Sequence, residues 1–363
     1  MLNGVIRSMR RVAVFTFIPL FFSANQAEAQ EYWPTETEWE TISPVDANMD
    51  PFMLRVAIQW AAQNDSGSLM VLRGGKIVAE IYWQGHTAET RLSIASSTKS
   101  MTAIMVGMAL DDGKFNSINQ SVSDFHTPWK GNPKEKITLR HLLTMTSGLN
   151  PELHDIELVE EDQFVLNASM PMRAIPGTHW EYNTPAYDML YRLIEKATGK
   201  SMEAYAQKKL FDPLGMKDTE WEKNGVGSVT NYYQVKSTAR DMARFGVFAL
   251  RGGQWNGKQL ISPAFFKDAT TSSQELNPAY GYLWWLNARK GKAASETLQN
   301  AIYQFDGSPR DTIACLGSGG QNIAVIPSKD LVIVRQGGTP KKEEFQETLL
   351  KLLLRAAEKI SEN

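Results

Sequence analysis

Strand-like texture occurs twice in this chain, and the long stretch between the two occurrences reads as helix. Early on, Ser68–Arg73 and Lys76–Trp83 are rich in Val, Ile, Leu and Tyr and meet across Gly74-Gly75, which is a hairpin pattern. Late in the chain, Tyr280–Asn287, Thr312–Leu316, Asn322–Ile326 and Leu331–Gln336 are short β-branched or aromatic runs bounded by Gly, Pro or Lys-Asp turns. Between them lie the helical segments Thr98–Asp112, Leu139–Thr146, Pro185–Thr198, Ser201–Leu210 and Ser237–Leu250, with glycine at 113, 148, 199 and 252–253 where a left-handed helix end wants one. A helix is expected over Pro51–Gln63, capped by Asp50. Another is expected over Lys341–Ile360, where Phe345, Leu349, Leu352, Leu353, Ala356 and Ile360 share one face. The simplest assembly is an α/β (α+β) fold, in which one antiparallel sheet is flanked by the first and last helices and carries a large helical insertion. Residues 51–95 and 276–363 then form a sheet lobe after an extended lead-in over 30–50, and residues 96–275 form a helical lobe. The cleft between them is the natural place for a site.

Charge narrows the partners. With 38 Lys+Arg against 40 Asp+Glu, the chain has no excess of positive charge to neutralise phosphates, so nucleic acid is excluded as a main partner. The lone Cys315 makes neither an internal disulfide nor a thiolate metal site. The five histidines are scattered without a His-x-x-x-His pair, so no metal or other cofactor is expected. Arg7, Arg10 and Arg11 precede an apolar run, Val12–Phe22, that is too short for a span of about 20 residues and suits a secretory leader. Ala27-Glu28-Ala29 supplies small residues for cleavage after Ala29, so the protein is expected to be exported, periplasmic or secreted, with no membrane span in the mature chain.

The chemistry concentrates at Ser96-Ser97-Thr98-Lys99, where the early strands give way to helix. A serine at a helix start sits where free backbone N–H groups and the dipole favour negative charge, and Lys99, one turn on, projects from the same face. A serine hydroxyl needs a base to become a nucleophile, and burial among Met101–Met105 would favour the neutral amine that can serve as one. Ser-x-x-Lys alone is short enough to arise by chance, and a capping serine followed by a solvated lysine is its plain alternative. There is no Gly-x-Ser-x-Gly elbow for an α/β-hydrolase triad. His141 reads as helix packing. The acidic run Glu152, Asp155, Glu157, Glu160, Glu161 and Asp162 reads as surface charge, or as a border of the cleft favouring an ammonium-bearing substrate. Tyr280, Tyr282, Trp284 and Trp285 are expected to alternate on a strand, one face core and the other near the cleft.

The surroundings of the serine settle the choice. Arg91-Leu92-Ser93-Ile94-Ala95-Ser96-Ser97-Thr98-Lys99-Ser100-Met101-Thr102 resembles the nucleophile segment of the serine β-lactamase and penicillin-binding-protein superfamily. Ile137–Leu149 resembles a signature helix of its class C branch, and Pro176-Gly177-Thr178-His179-Trp180-Glu181-Tyr182-Asn183-Thr184 resembles the segment with the second catalytic motif. Ala239–Gly246, Tyr280–Trp285 and Gly317-Ser318-Gly319-Gly320-Gln321 continue the likeness in family order.

That resemblance implies a β-lactamase-like fold, with Ser96 as acyl-accepting nucleophile, Lys99 as its proton acceptor and Tyr182 as the group that passes a proton to the leaving group. It implies an oxyanion hole from the backbone N–H groups of Ser96 and Gln321, with Ser318, Gly319, Gly320 and Thr184 facing substrate. Two positions depart from the family. Thr184 stands where Tyr-x-Asn has its Asn, and Ser318-Gly319-Gly320 lacks the Lys or His of the third motif, removing a charge-assisted hydrogen bond of about 1.5 to 3 kcal/mol to a substrate carboxylate. Both departures resemble the 6-aminohexanoate-dimer hydrolase and esterase branch, which implies small linear amides or carboxylic esters as substrates. A β-lactamase or DD-peptidase is the alternative within the class. A catalytically silent binding protein that keeps the fold is the alternative outside it.

Overall fold

The computed structural model describes residues 31–153, 162–224, 231–288, 305 and 307–358. The leader over 1–29, the acidic run from His154 to Glu161 and the end of the last expected helix lie outside the described residues.

Asp50 accepts hydrogen bonds from the N–H groups of Phe52 and Met53 and so starts α1 (Pro51–Gln63) as expected. Two strands follow, β1 (Ser66–Arg73) and β2 (Lys76–Tyr82), paired antiparallel across the glycine turn. The lead-in does not simply trail away: Thr41 bridges to Ile77 in parallel, with Ile42 N–H donating to Ile77 O and Ile77 N–H to Glu40 O, both 2.9 Å. After the short β3 (Leu92–Ser93) comes α2 (Thr98–Asp111), which is buried from Thr98 through Ala109, its polar first turn included.

Helices α3 (Leu139–Leu143), α4 (Gln163–Ser169) and α5 (Thr184–Thr198) lead into α6 (Met202–Ala206), one π-helical turn, and α7 (Asp212–Leu214). Gly199 ends α5 at φ 68°, a conformation open to glycine at little cost. His141 is a packing residue as expected: its Nδ1 accepts from Thr138 N–H at 3.1 Å while Thr138 Oγ1 caps α3.

The stretch read as dominated by helices also contains a hairpin, β4 (Glu220–Asn224) with β5 (Asn231–Ser237), and β3 pairs with β5 to make a three-stranded sheet. Next come α8 (Ala239–Leu250), the small hairpin β6 (Gln254–Trp255) and β7 (Lys258–Gln259), and α9 (Pro263–Ala269). The expected strand over Tyr280–Asn287 shrinks to β8 (Trp285–Leu286). Leu283 sits at φ 60°, Gly281 N–H bonds Trp284 O and Tyr280 bridges Trp285, so the aromatic run is a tight turn rather than an alternating strand. All four aromatics are buried, and Arg140 donates to Tyr282 Oη at 2.8 Å to hold the turn on α3.

The chain closes with β9 (Ile313–Gly317), β10 (Gln321–Ile326), β11 (Leu331–Gly337) and α10 (Phe345–Ala356). The main sheet has six strands in the order β2-β1-β11-β10-β9-β8, and its pairings are antiparallel. Strand β1 pairs with β11 over Leu69↔Arg335 and Val71↔Ile333, so residues far apart in sequence form the centre of the sheet. Helices α1 and α10 pack on each other, and α1 on β1, while α8 lies against β10, β11 and β1. From Tyr32 onward the described residues form one compact unit. No helix of the described residues is long and apolar enough to cross a membrane.

Candidate active site

Ser96 lies in a single tight turn, Ala95–Ser97, between β3 and α2. Ala95 adopts φ 47°, the left-handed region that a side chain normally avoids. Neighbouring strands hold the turn in place. Ile94 N–H donates to Val235 O and Val235 N–H to Thr98 Oγ1, both 2.9 Å, while Ser97 Oγ donates to Gln321 O at 3.2 Å. Gly317 makes the approach of β9 possible, because a Cβ there would lie 2.3 Å from Ile94 O.

Lys99 follows one helical turn later and is 4% exposed. Its Nζ is 3.1 Å from Ser96 Oγ, as the three-residue helical spacing dictates. The same nitrogen lies 5.2 Å from the centre of the Tyr182 ring and 4.5 Å from that of Tyr187. Behind it runs a chain of hydroxyls: Thr102 Oγ1 is 2.9 Å from Tyr187 Oη, which bonds Tyr191 Oη in turn. Burial pushes the Asp188 carboxyl up to about 7, against the pull of Lys99 toward its anion, and Asp188 Oδ1 is buried without a hydrogen-bond partner.

Tyr182 comes from the segment that enters α5. Asn183 caps that helix by accepting from Ala186 N–H at 2.9 Å, and its amide donates to Leu149 O at 2.9 Å. The Tyr182 ring stacks on Trp285 with centres 6.0 Å apart and 16° between planes, and meets Tyr280 edge-on at 6.4 Å. Thr184 is the first residue of α5. The second motif therefore spends its Asn183 on structure, as cap of α5 and as donor to Leu149 O.

Ser318, Gly319 and Gly320 form a turn between β9 and β10 and line the same cavity as Ser96 and Tyr182. Gln321 begins β10 opposite Gly317. Its side chain donates from Nε2 to Gly337 O at 2.6 Å and accepts from Gly337 N–H at 3.3 Å. The cavity measures about 430 Å³, and its remaining wall comes from Trp285, Leu316 and the β11–α10 connection with Thr339, Pro340, Lys342, Glu343, Phe345 and Gln346. Sequence reasoning missed that connection; the only signal was Gly337-Gly338 followed by Thr339-Pro340 after a strand. Cys315 lies fully buried beside this turn, and burial pushes its thiol up to about 12, so it stays an inert apolar filler. Among the described residues no group of three or more His, Cys, Asp or Glu is placed to hold a metal ion.

A hydroxyl bonded to a buried amine, beside a tyrosine and a backbone turn in one cleft, can support acyl transfer. Known proteins resemble the chain in sequence and in fold. The family model described as Beta-lactamase matches residues 45–355. The 6-aminohexanoate-dimer hydrolase of Paenarthrobacter ureafaciens is 23% identical over 296 residues, covering 75% of this chain and 72% of that protein. Lovastatin esterase of Penicillium rubens is 31% identical over 162 residues, which is 36% of this chain and 39% of that one. The crystal structure of a penicillin-binding protein homologue from Caulobacter crescentus superposes with a TM-score of 0.67 at 15% identity, covering 88% of this chain and 99% of that chain, a likeness of fold alone. The chain belongs to the beta-lactamase family and is a serine hydrolase of that family.

Proposed function

We propose that this hydrolase cleaves small linear amides or carboxylic esters through an acyl-enzyme on Ser96. The observation that carries the reading is the 3.1 Å contact between Lys99 Nζ and Ser96 Oγ, made by a lysine 4% exposed. In this scheme Ser96 Oγ attacks the substrate carbonyl while Lys99 takes its proton. The ammonium so formed faces the Tyr182 and Tyr187 rings, which favour a cation. Charge that develops on the carbonyl oxygen meets the N–H groups of Ser96 and Gln321, each donor of this kind being worth about 10²- to 10³-fold in kcat. Tyr182 hands a proton to the leaving amine or alcohol and regains one from the water that attacks the acyl group, while Lys99 returns its proton to Ser96 Oγ as the acid departs.

The substrate class follows from what the third motif lacks. Ser318 offers no cation to a carboxylate next to the scissile bond, as β-lactams and terminal D-alanine peptides require. At about 1.5 to 3 kcal/mol, that loss amounts to roughly 10- to 150-fold in binding. Amide and ester chemistry in the relatives named above agrees with it. A panel of p-nitrophenyl esters, 6-aminohexanoate oligomers and nitrocefin tests the reading. Turnover of an ester or an oligomer with nitrocefin near background is expected, and the reverse order contradicts it. Export belongs to the same reading, and the first residue of the secreted protein is expected to be Gln30.

A further inference from the structure

Strand β11 reads Leu331-Val332-Ile333-Val334-Arg335-Gln336-Gly337, an apolar run with one charge in it. That charge is at the centre of the molecule. Arg335 pairs with Leu69 of β1 on one side and Asn322 of β10 on the other, and it is 0% exposed. Among the described residues no carboxylate lies within ion-pair distance of it. Its partners are all neutral: Nε donates to Ser66 Oγ at 3.0 Å, Nη2 to Asn64 O at 3.0 Å and Asp65 O at 2.9 Å, and Nη1 to Gly319 O at 2.7 Å. The Phe345 ring, centred 5.1 Å away, covers one face. The Asp65 carboxylate favours the guanidinium's charge from beyond ion-pair distance, yet burying a guanidinium with no carboxylate in contact is costly, so a neutral side chain of similar size would serve packing better.

Three of the four bonds fasten the guanidinium to the start of β1, and the fourth reaches the catalytic cleft. Gly319 and Gly320, at φ 72° and 75°, are two successive residues with little torsional restraint of their own. A Cβ on Gly320 would come within 2.9 Å of Arg335 Nη1, so the guanidinium lies directly behind the turn. With Gly319 O held on Arg335 and the Gln321 side chain held on Gly337, the backbone that carries the Gln321 N–H is pinned on both sides.

We propose that Arg335 is a positioning residue for acyl transfer, supplying from behind the third-motif turn the fixed cation that Ser318 does not supply in front. It sets the aim of the Gln321 N–H and adds positive potential where the oxyanion forms. The inference rests on the acyl-enzyme reading given above.

Three variants test it: Arg335→Met, which keeps bulk without charge; Arg335→Lys, which keeps charge without the fork; and Ser66→Ala, which removes one tether remote from substrate. Melting curves establish the folded fraction, and kcat and KM are measured with an activated ester alongside the rate of fluorophosphonate labelling. Arg335→Met is expected to lose about 100-fold in kcat and in labelling rate with KM within about twofold. Arg335→Lys should recover about tenfold of that loss, and Ser66→Ala should lose a few-fold in kcat alone. A folded Arg335→Met protein with wild-type kcat overturns the proposal, as does a loss confined to KM. If Arg335→Met does not fold, full kcat in both other variants overturns it equally. Absence of labelling at Ser96 in the wild type would instead defeat the acyl-enzyme reading, so the two failures are distinct.

Discussion

The carboxamide of Gln321 grips both polar atoms of the Gly337 backbone, donating to its carbonyl at 2.6 Å and accepting from its N–H at 3.3 Å. This contact ties the first residue of β10 to the last residue of β11 at the edge of the cleft. Because Gln321 is 7% exposed, removing its side chain leaves the Gly337 groups without these partners. Gln321→Ala is expected to cost about 1 to 3 kcal/mol in stability, read as a lower denaturation midpoint at unchanged slope. It should also lower kcat, since the same residue's N–H is the proposed oxyanion donor.

Lys99→Met replaces the buried amine by an apolar chain of similar length in a pocket walled by Tyr182 and Tyr187. The variant is expected to fold, with kcat reduced about 10²- to 10⁴-fold, the range of a lost general base. Steady-state kinetics with an activated ester checks this. Activity near wild type would mean that another group takes the Ser96 proton.

Trp285 is 5% exposed and supplies the stacking surface for Tyr182. Trp285→Ala opens a cavity beside Tyr182 and is expected to cost about 3 to 5 kcal/mol in stability. Trp285→Phe keeps a ring there and should lose much less. Comparing kcat/KM between the two, at temperatures where both are folded, tells whether the stack holds Tyr182 in its working position.

Asp188 makes stability depend on pH. Burial raises its folded-state pKa from the ordinary 3.8 to about 7, so the native protein binds this proton more tightly than the unfolded chain does. Its contribution is therefore full below about pH 4 and is lost as pH rises toward 7. Asp241, raised to about 6, acts in the same direction, while the half-buried His126 and His141, both lowered by desolvation, act oppositely. Asp188→Asn isolates one part of this sum. The difference in melting temperature between variant and wild type should shift in the variant's favour as pH rises from 4 to 7. A difference independent of pH would contradict the burial argument.

Much of the site was legible because it is local. Ser96 and Lys99 are three residues apart at a helix start, and helical geometry alone brings them together. The strands that carry Ser318–Gln321 announced themselves by β-branched runs, as did the hairpin of β1 and β2. What stayed hidden depends on tertiary contacts. The aromatic run at 280–285 has strand composition, yet Leu283 N–H bonds Leu143 O and turns the chain back. Strands β4 and β5 sit amid helices and find partners only in each other and β3. Thr184 occupies a motif position but begins a helix, and no local pattern could show that Asn183 takes the structural work beside it. Arg335 is a lone charge in an apolar strand, and its bond to Gly319 O forms only once β11 lies beside the turn that leads into β10.

The central claim is that Ser96 carries the acyl group. Intact-mass analysis after reaction with a fluorophosphonate, followed by peptide mapping, tests it most directly in the wild type and in Ser96→Ala. The account predicts one adduct on Ser96 in the wild type and none in the folded variant. An adduct on any other residue, or labelling retained by Ser96→Ala, would contradict it.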